Sequence, residues 1–288
     1  MAKPAINQNN PLTKFMRQPK IYITLPSQGR YWAQNAVIIP ENGQIPVYSM
    51  TAKDELMFKT PDALMNGQAV VDVIQSCIPN IKNAWAIPSI DLDILLVAIR
   101  IATYGDKMSV SYNIPNINEE GDYEINLHTF IDQLGAVQWI EQVPLNDDMI
   151  VFVKPLTYKH MSNISQKSFE TNKIMQIADD PNLTESEKAQ MVSASFTTLT
   201  DLTTDMIVGS IFKIKTADGD VTETRWIKEF IENSDKSVVD TIQHHINDLK
   251  KQNDVKPVTL TTTLEQQADG APESFEVPIN FDNSTFFV

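Results

Sequence analysis

The sequence predicts an α+β fold with small N-terminal strands, apolar helices and hairpins, a helix-rich middle insertion and a C-terminal strand pair. Short β-prone runs that end at Pro, Gly or Asn occur toward both ends of the chain, which favours strands joined by turns. Between them, apolar residues recur at spacings of three and four, which indicates amphipathic helices. Hydrophobic residues occupy 42% of the 288 positions, so the chain can bury a core.

Composition and charge disfavour several classes of protein. The 23 Lys and Arg residues against 37 Asp and Glu give a formal charge of -14, which is the wrong sign for binding a phosphate backbone. A single cysteine, Cys77, excludes an intramolecular disulfide and fits a reducing compartment. No apolar run reaches the roughly 18 residues of a membrane helix, and the first 20 residues are polar. We therefore expect neither a membrane span nor a secretory leader.

The first 20 residues predict an extended basic arm, because their prolines and asparagines leave no helical or strand period. Residues 1–40 hold five basic side chains and no acid, whereas residues 257–288 hold five acids and no base. Opposite charge at the two ends favours docking of the arm on an acidic surface. That surface could belong to the same chain or to a neighbour.

Two or three short strands are predicted after the arm, from the runs at residues 21–25, 37–39 and 45–48. Asn42-Gly43 lies between the last two, and this pair is typical of a hairpin turn. A helix is predicted to begin at Thr51, because a carboxylate three residues later gives a capping-box pattern just ahead of an apolar run.

Apolar helices follow in the first half of the chain. Thr60-Pro61-Asp62 repeats the start signal, with Pro at the first helical position. Apolar residues at three- and four-residue spacing predict a helix over residues 70–78 and another from Ser89 to Gly105. These helices supply the best candidates for the core.

The rest of the chain alternates between predicted hairpins and predicted helices. Hairpins are predicted from residues 108–114 with 123–127, 137–143 with 149–154, and 211–215 with 221–224. Two antiparallel helices are predicted next, from a helical period over residues 157–179 and a capping box at Thr184–Glu187. The second of them has an apolar stripe through Val192, Phe196, Leu199 and Met206. Helices at 226–231 and 238–249 and strands at 258–264 and 275–281 complete the series.

We expect four regions: the arm at 1–20, a mixed α+β domain at 21–156, a helix-rich domain with a short hairpin at 157–254, and a strand pair with a Phe-rich tail at 255–288. The tail ends in Phe281, Phe286 and Phe287. Each ring gains about 1.5–3 kcal/mol on burial, so these rings should be anchored. They either dock on the chain's own core or insert into a partner.

The sequence contains no pattern that predicts catalysis or metal binding. It lacks a Gly-rich phosphate loop, a nucleophile elbow and a His-Glu-x-x-His motif. The adjacent pair His244–His245 would point in directions about 100° apart and so would not chelate one ion. Asp91–Asp93 and Asp147–Asp148 are the candidate acid–base pairs, but such pairs arise by chance among 37 acids. We predict no enzyme activity, no cofactor and no bound metal.

Three segments together resemble a known family. They are Tyr22 to Tyr31 (Tyr-Ile-Thr-Leu-Pro-Ser-Gln-Gly-Arg-Tyr), Val47 to Ala63 (Val-Tyr-Ser-Met-Thr-Ala-Lys-Asp-Glu-Leu-Met-Phe-Lys-Thr-Pro-Asp-Ala) and Val73 to Pro79 (Val-Ile-Gln-Ser-Cys-Ile-Pro). They resemble the baseplate hub protein family of T-even-like contractile-tailed bacteriophages. The Phe-rich end at 275–288 is similar to the C-terminal end of that family.

One motif of the family is replaced in this chain. Relatives often carry a Cys-Pro-x-Cys knuckle after the second apolar helix, and the matching stretch here is Ile114-Pro115-Asn116-Ile117. Both positions that would supply thiolates are isoleucines. We therefore expect apolar packing, rather than zinc, to hold this hairpin.

The resemblance implies a structural subunit of a contractile-tail baseplate hub, found in the virion and, during assembly, in the host cytoplasm. Its partners would be other hub and tail proteins, with the tape-measure protein as a further candidate, and it would oligomerise in the assembly. A transient assembly factor absent from the mature virion is the alternative, and a cell-wall hydrolase is a third hypothesis.

Two sets of residues carry these expectations. The family's N-terminal turn would be formed by Leu25, Pro26, Ser27, Gly29 and Tyr31, and its helix start by Met50, Thr51, Asp54 and Glu55. Partner-binding candidates are Lys14, Arg17 and Lys20 in the arm and Phe281, Phe286 and Phe287 in the tail. Exposed ion pairs contribute only about 0–1 kcal/mol each, so aromatic burial would supply most of the affinity and charge would set orientation.

Overall fold

A computed structural model describes residues 11–58, 67–178, 183–279, 281 and 286–287, and it confirms the α+β fold. The strands are β1 (Pro19–Ile23), β2 (Ile45–Tyr48), β3 (Lys107–Asn113), β4 (Glu120–Asn126), β5 (Gln142–Asn146), β6 (Met149–Val153), β7 (Ile211–Thr216), β8 (Gly219–Val221), β9 (Val258–Thr261) and β10 (Ser274–Val277). The α-helices are α1 (Ala52–Phe58), α2 (Gln68–Cys77), α3 (Ser89–Tyr104), α4 (His128–Gly135), α5 (Tyr158–Ala178), α6 (Glu185–Ser210), α7 (Thr224–Asn233), α8 (Lys236–Asn253) and α9 (Leu264–Ala268).

The first core surrounds α3, which is buried along most of its length. α3 ends where predicted, because Gly105 adopts a positive φ of 96° and its N–H bonds to the Ile101 carbonyl. The antiparallel pairs β1–β2, β3–β4 and β9–β10 and helices α2 and α4 contribute apolar side chains to this core. Residues from both ends of the chain therefore share one hydrophobic cluster.

The second core lies under a four-stranded antiparallel sheet of order β5-β6-β7-β8. Val151 and Val153 of β6 and Ile214 of β7 are buried on it, and α7 and α8 contribute Ile227 and Ile242. Because β6 pairs directly with β7, helices α5 and α6 form an insertion between two neighbouring strands. The sheet thus continues across the expected boundary at residues 156–157, while the division into domains stays a prediction.

The turn at Asn42-Gly43 does not join two strands, which corrects the predicted hairpin. Strand β2 pairs instead with β1, with Ile23 opposite Ile45. Residues 37–39 form no strand, because Val37 makes only an isolated bridge to Ile81. A buried partner for β2 is available in β1, and this long-range pairing overrides the local turn signal.

Three other predictions differ in detail. Phe196 is 58% exposed, because the buried face of α6 passes through Ser195 and Leu202, about 100° away around the helix. Residues 137–141 precede β5 without joining it. The strand predicted to Leu264 ends at Thr261, since Thr263 begins α9 with a capping box. The start signal at Thr60-Pro61-Asp62 lies outside the described residues.

Candidate functional site

The first family motif, which contains Leu25, Pro26, Ser27, Gly29 and Tyr31, forms a loop that is bonded to the start of α3. Ser27 and Asp91 are both fully buried. The Ser27 backbone N–H donates to Asp91 Oδ1 at 2.9 Å, and the Ser27 hydroxyl donates to Asp91 Oδ2. Trp32 Nε1 donates to the same Oδ2 at 2.7 Å. One carboxylate therefore gathers three donors from the loop, and burial raises its pKa to about 6 although the hydrogen bonds from Ser27 and Trp32 oppose the rise.

Gly29 and Leu25 explain the other residue types of this motif. Gly29 has a φ of 83°, a conformation that strains other residues, and a Cβ there would also have to displace the end of the Ile39 side chain, whose Cδ1 would lie 2.5 Å away. Its N–H donates to Ser27 Oγ at 3.1 Å. Leu25 is buried in the first core, and Pro26 separates it from Ser27. The motif is thus explained by turn geometry and by the buried carboxylate.

Tyr31 joins this loop to the second core. Its hydroxyl donates to Glu141 Oε1 at 2.6 Å, and Arg30 lies 3.8 Å from the same carboxylate. Burial, followed by the Glu141 hydrogen bond and charge, raises the pKa of the Tyr31 hydroxyl. Tyr31 itself has a φ of 68°, which is rare for a side chain of this size. The contact holds the loop next to the segment that leads into β5.

The second family motif anchors the N-terminal segment. Asp54 is 4% exposed and accepts from the Thr51 backbone N–H and hydroxyl, both at 2.8 Å, as the capping pattern predicts. Arg17 Nη1 lies 3.6 Å from Asp54 and donates to the Ser49 carbonyl. Arg17 Nη2 donates to the Ser76 carbonyl at 2.7 Å. A predicted partner-binding residue therefore holds the arm against its own chain.

The other two residues of the second motif, Met50 and Glu55, lie in the first core and in α1, respectively. Met50 is buried, and its N–H donates to Thr103 Oγ1 at 3.0 Å. Glu55 is half-buried in the first turn of α1. Neither residue faces a pocket described below.

The anchored segment presents exposed apolar and basic side chains. Phe15 is 74% exposed and Met16 is 44% exposed. The Lys14 ammonium lies 5.0 Å from the centroid of the Phe15 ring, and Lys20 is exposed on β1. This short stretch, residues 14–16, is called the N-terminal handle below.

The C-terminal phenylalanines pack on the chain's own core, which was the first of the two alternatives. Phe286 is 2% exposed and Phe287 is 5% exposed, and Phe287 stacks on Phe58 with centroids 4.7 Å apart. Phe281 contacts both Phe130 and Phe286 edge-on. The described residues near the C-terminal end are therefore part of the fold. Binding of these rings to a partner stays a prediction.

A buried arginine on α3 holds this end in place. Arg100 is 8% exposed, donates to the Phe286 carbonyl, and lies 5.2 Å from the Phe286 ring centroid. Tyr104 donates to the Phe287 carbonyl at 3.3 Å. Burial lowers the pKa of the Arg100 guanidinium. The cation thus has carbonyl and ring partners in the C-terminal residues.

The two candidate acid pairs lie in different surroundings in the structure. Asp91 faces the motif loop, whereas Asp93 lines a cavity of about 420 Å³, because residues two apart on a helix point in different directions. Asp147 and Asp148 are exposed in the β5–β6 turn. Neither pair forms an acid–base site.

The cavity is lined by α3, the segment after α4, and helices α5, α6 and α8. Its polar residues from α8 and the residue that follows it are Lys250, Asn253 and Asp254. Sequence reasoning missed these residues, since they are ordinary members of a polar helix end and only packing brings them to Asp93. Burial, followed by the charge of Asp254, raises the pKa of Asp93 to about 6.

The other singled-out side chains have local roles. Cys77 is fully buried on α2. His244 Nδ1 contacts the Asp240 carbonyl and His245 Nε2 contacts the Ile140 carbonyl, so the pair is divided as predicted. Ile114, at the position of a knuckle thiolate, is 2% exposed. Across the described ranges, no group of three or more His, Cys, Asp or Glu side chains is placed to hold a metal ion.

The two motifs make contacts between segments of the chain. The N-terminal handle is exposed, and the cavity opens between packed helices. The chain belongs to the family described as T4 bacteriophage base plate protein, whose model matches residues 16–275. This membership indicates a structural role in a bacteriophage baseplate, a location in the virion tail, and other phage tail proteins as partners. No curated protein and no solved structure matches the chain. Within the described part, no helix is both long and apolar enough to cross a bilayer.

Proposed function

We propose that this protein is a structural subunit of the baseplate hub of a contractile tail, held in the mature particle by contacts with other tail proteins. Family membership supports the baseplate role. The resemblance of the two motifs supports the hub. The protein would act by occupying a fixed place between neighbours, with no bond-making centre, during assembly in the host cytoplasm and afterwards in the virion.

The observation that carries this proposal is the anchored N-terminal handle. Arg17 makes several contacts to the body, so the residues just before it are fixed in direction although their side chains are exposed. Phe15 and Met16 present apolar surface beside the Lys14 charge. Aromatic residues and methionine are enriched at protein interfaces, and a charge at the edge of such a surface steers the approach of a partner of opposite charge. A neighbouring tail protein with an acidic, apolar surface fits this handle.

Mass spectrometry of purified virions tests retention. We expect peptides of this chain in extensively washed particles at a fixed ratio to a major tail protein. A chain that is abundant in infected cells and missing from washed particles would instead be the transient assembly factor. Lysis of purified peptidoglycan by the isolated chain would support the hydrolase hypothesis and contradict the proposal.

A phage carrying the double substitution Phe15→Ser and Met16→Ser tests the handle. We expect the isolated variant to keep its melting temperature, because both side chains are exposed in the wild type, and its incorporation into particles to fall at least fivefold. The matched control is Leu264→Ser, since Leu264 is an 84% exposed apolar residue on α9. Equal incorporation of both variants would show that the handle does not contact a neighbour.

A further inference from the structure

The cavity beside α3 combines apolar walls with polar groups at one side. Its volume of about 420 Å³ falls within the usual range of ligand pockets, roughly 300–1,000 Å³. Leu92, Trp139, Met161 and Met206 supply apolar wall surface. Helices from both cores and from the inserted α5–α6 pair converge there.

Two polar groups at this cavity have no partner within the described residues. Asp93 is half-buried on the cavity wall, and its carboxylate makes no hydrogen bond or ion pair with another described residue. Partial desolvation and the charge of Asp254 raise its pKa to about 6. The Asn253 Nδ2 atom is buried and finds no hydrogen-bond acceptor among the described residues. A buried polar atom nearly always has a protein, water or ligand partner, so the Asn253 amide and the Asp93 carboxylate are both available to a polar group that enters the cavity.

The charges at the cavity determine the sign of that ligand. Asp93 and Asp254 contribute two carboxylates and Lys250 contributes one ammonium. The charge of Asp254 acts on Lys250, and among the described residues no ion pair joins a Lys or Arg to Asp93. Asp93 therefore has no counter-cation in contact with it in the part of the chain that the structure describes. A cationic head at Asp93 would neutralise the site, whereas a neutral or anionic head would leave the carboxylate unpaired.

We propose that this cavity binds the side chain of a lysine or arginine presented by a neighbouring protein of the baseplate. The aliphatic stem packs against Leu92, Trp139 and the methionines, and the cationic head pairs with Asp93. Asn253 Nδ2 donates to a backbone carbonyl of the inserted segment. The inference rests on the proposed function, because it assumes that the protein works through contacts with neighbours.

Two probes of equal length test the site on the purified full chain. Isothermal titration with n-pentylammonium chloride should show saturable binding at pH 8, and n-pentanol should bind at least tenfold more weakly because it has no charge. Asp93→Asn should weaken n-pentylammonium binding at least tenfold and leave n-pentanol unchanged. Asp147→Asn is the control, since Asp147 is exposed in the β5–β6 turn and far from the cavity lining.

Equal binding of the two probes to the wild type would overturn the proposal, and this comparison needs no variant to fold. Unchanged binding by Asp93→Asn with a normal melting curve would overturn it as well. Probe binding and retention in the virion test the cavity site and the proposed function independently. Probe binding without retention would refute the hub subunit and keep the cavity site, whereas retention without probe binding would refute only the cavity site.

Discussion

Replacing Ser27 with alanine would test whether the Asp91 carboxylate holds the first motif. The substitution removes the hydroxyl that donates to Asp91 Oδ2 and accepts from the Gly29 N–H, and leaves the backbone and Trp32 donors in place. A hydrogen bond to a buried charged group contributes about 1.5–3 kcal/mol, against about 0.5–1.5 kcal/mol for a neutral pair. We expect the free energy of unfolding to fall by about 2 kcal/mol at pH 8.

The loss should depend on pH, and its direction follows from the pKa of Asp91. Burial raises this pKa from 3.8 to about 6 in the folded protein, so the folded state holds the proton more tightly than the unfolded state. The stability contributed by Asp91 is therefore present at low pH and is lost as pH rises from about 4 to about 6. The Ser27 hydroxyl lowers this pKa and limits the loss, so its removal matters most where the carboxylate is ionised. We expect a decrease of about 1 kcal/mol at pH 5.5.

Urea unfolding at pH 5.5 and pH 8, followed by circular dichroism, measures both values. The matched control is Ser111→Ala, because Ser111 also donates to a carboxylate, Asp122, at 2.6 Å but on an exposed hairpin. We expect this control to change stability by less than about 0.5 kcal/mol at either pH. An equal loss for Ser27→Ala at both pH values, or a loss no larger than that of the control, would refute the role assigned to Asp91.

Three further predictions concern the ends and the insertion. Phe286→Ala should lower the free energy of unfolding in urea by about 3–5 kcal/mol, because it leaves a cavity at a buried site beside Arg100. Leu264→Ala should change it little, since Leu264 is exposed. Similar losses for the two variants would contradict the packing of the tail. Arg17→Ala should lower stability by about 2 kcal/mol and Lys14→Ala by less than about 0.5 kcal/mol, as measured by urea unfolding, and the reverse order would show that the arm is not anchored through Arg17. Replacing residues 166–198 with a Gly-Ser-Gly linker should preserve the near-ultraviolet circular dichroism signal of the packed aromatic side chains, since β6 pairs directly with β7. Loss of this signal would show that the insertion is needed for the sheet to pack.

Local signals predicted the helices better than the strand partners. The capping patterns at Thr51 and Thr184 and the stop at Gly105 are found where they were predicted, because these signals act over three or four residues. The turn at Asn42-Gly43 has its expected left-handed glycine but joins no hairpin. Strand pairing is decided by a buried surface that lies elsewhere in the sequence, so a local signal could not identify β1 as the partner of β2.

At the candidate sites, too, the sequence indicated the residue types and the tertiary structure determined their contacts. The arm's charge, the Phe-rich end and the two motifs were visible as residue types, but their contacts were not. Sequence spacing placed Asp91 and Asp93 together as a pair, whereas the helix turns one toward Ser27 and the other toward a cavity. The polar residues Lys250, Asn253 and Asp254 line the same cavity as Asp93 but lie more than 150 positions later in the chain, so no local pattern could connect them.

By itself, the sequence determined the α+β class, most helix ends and the segments that resemble the baseplate family, since composition, period and capping depend on neighbouring residues. Tertiary structure alone decided that Phe286 packs against Arg100, that Arg17 anchors the arm, and that the inserted helices separate two adjacent strands. The physical reason is that burial and long-range hydrogen bonding depend on which distant surfaces meet, and only the folded chain specifies those meetings.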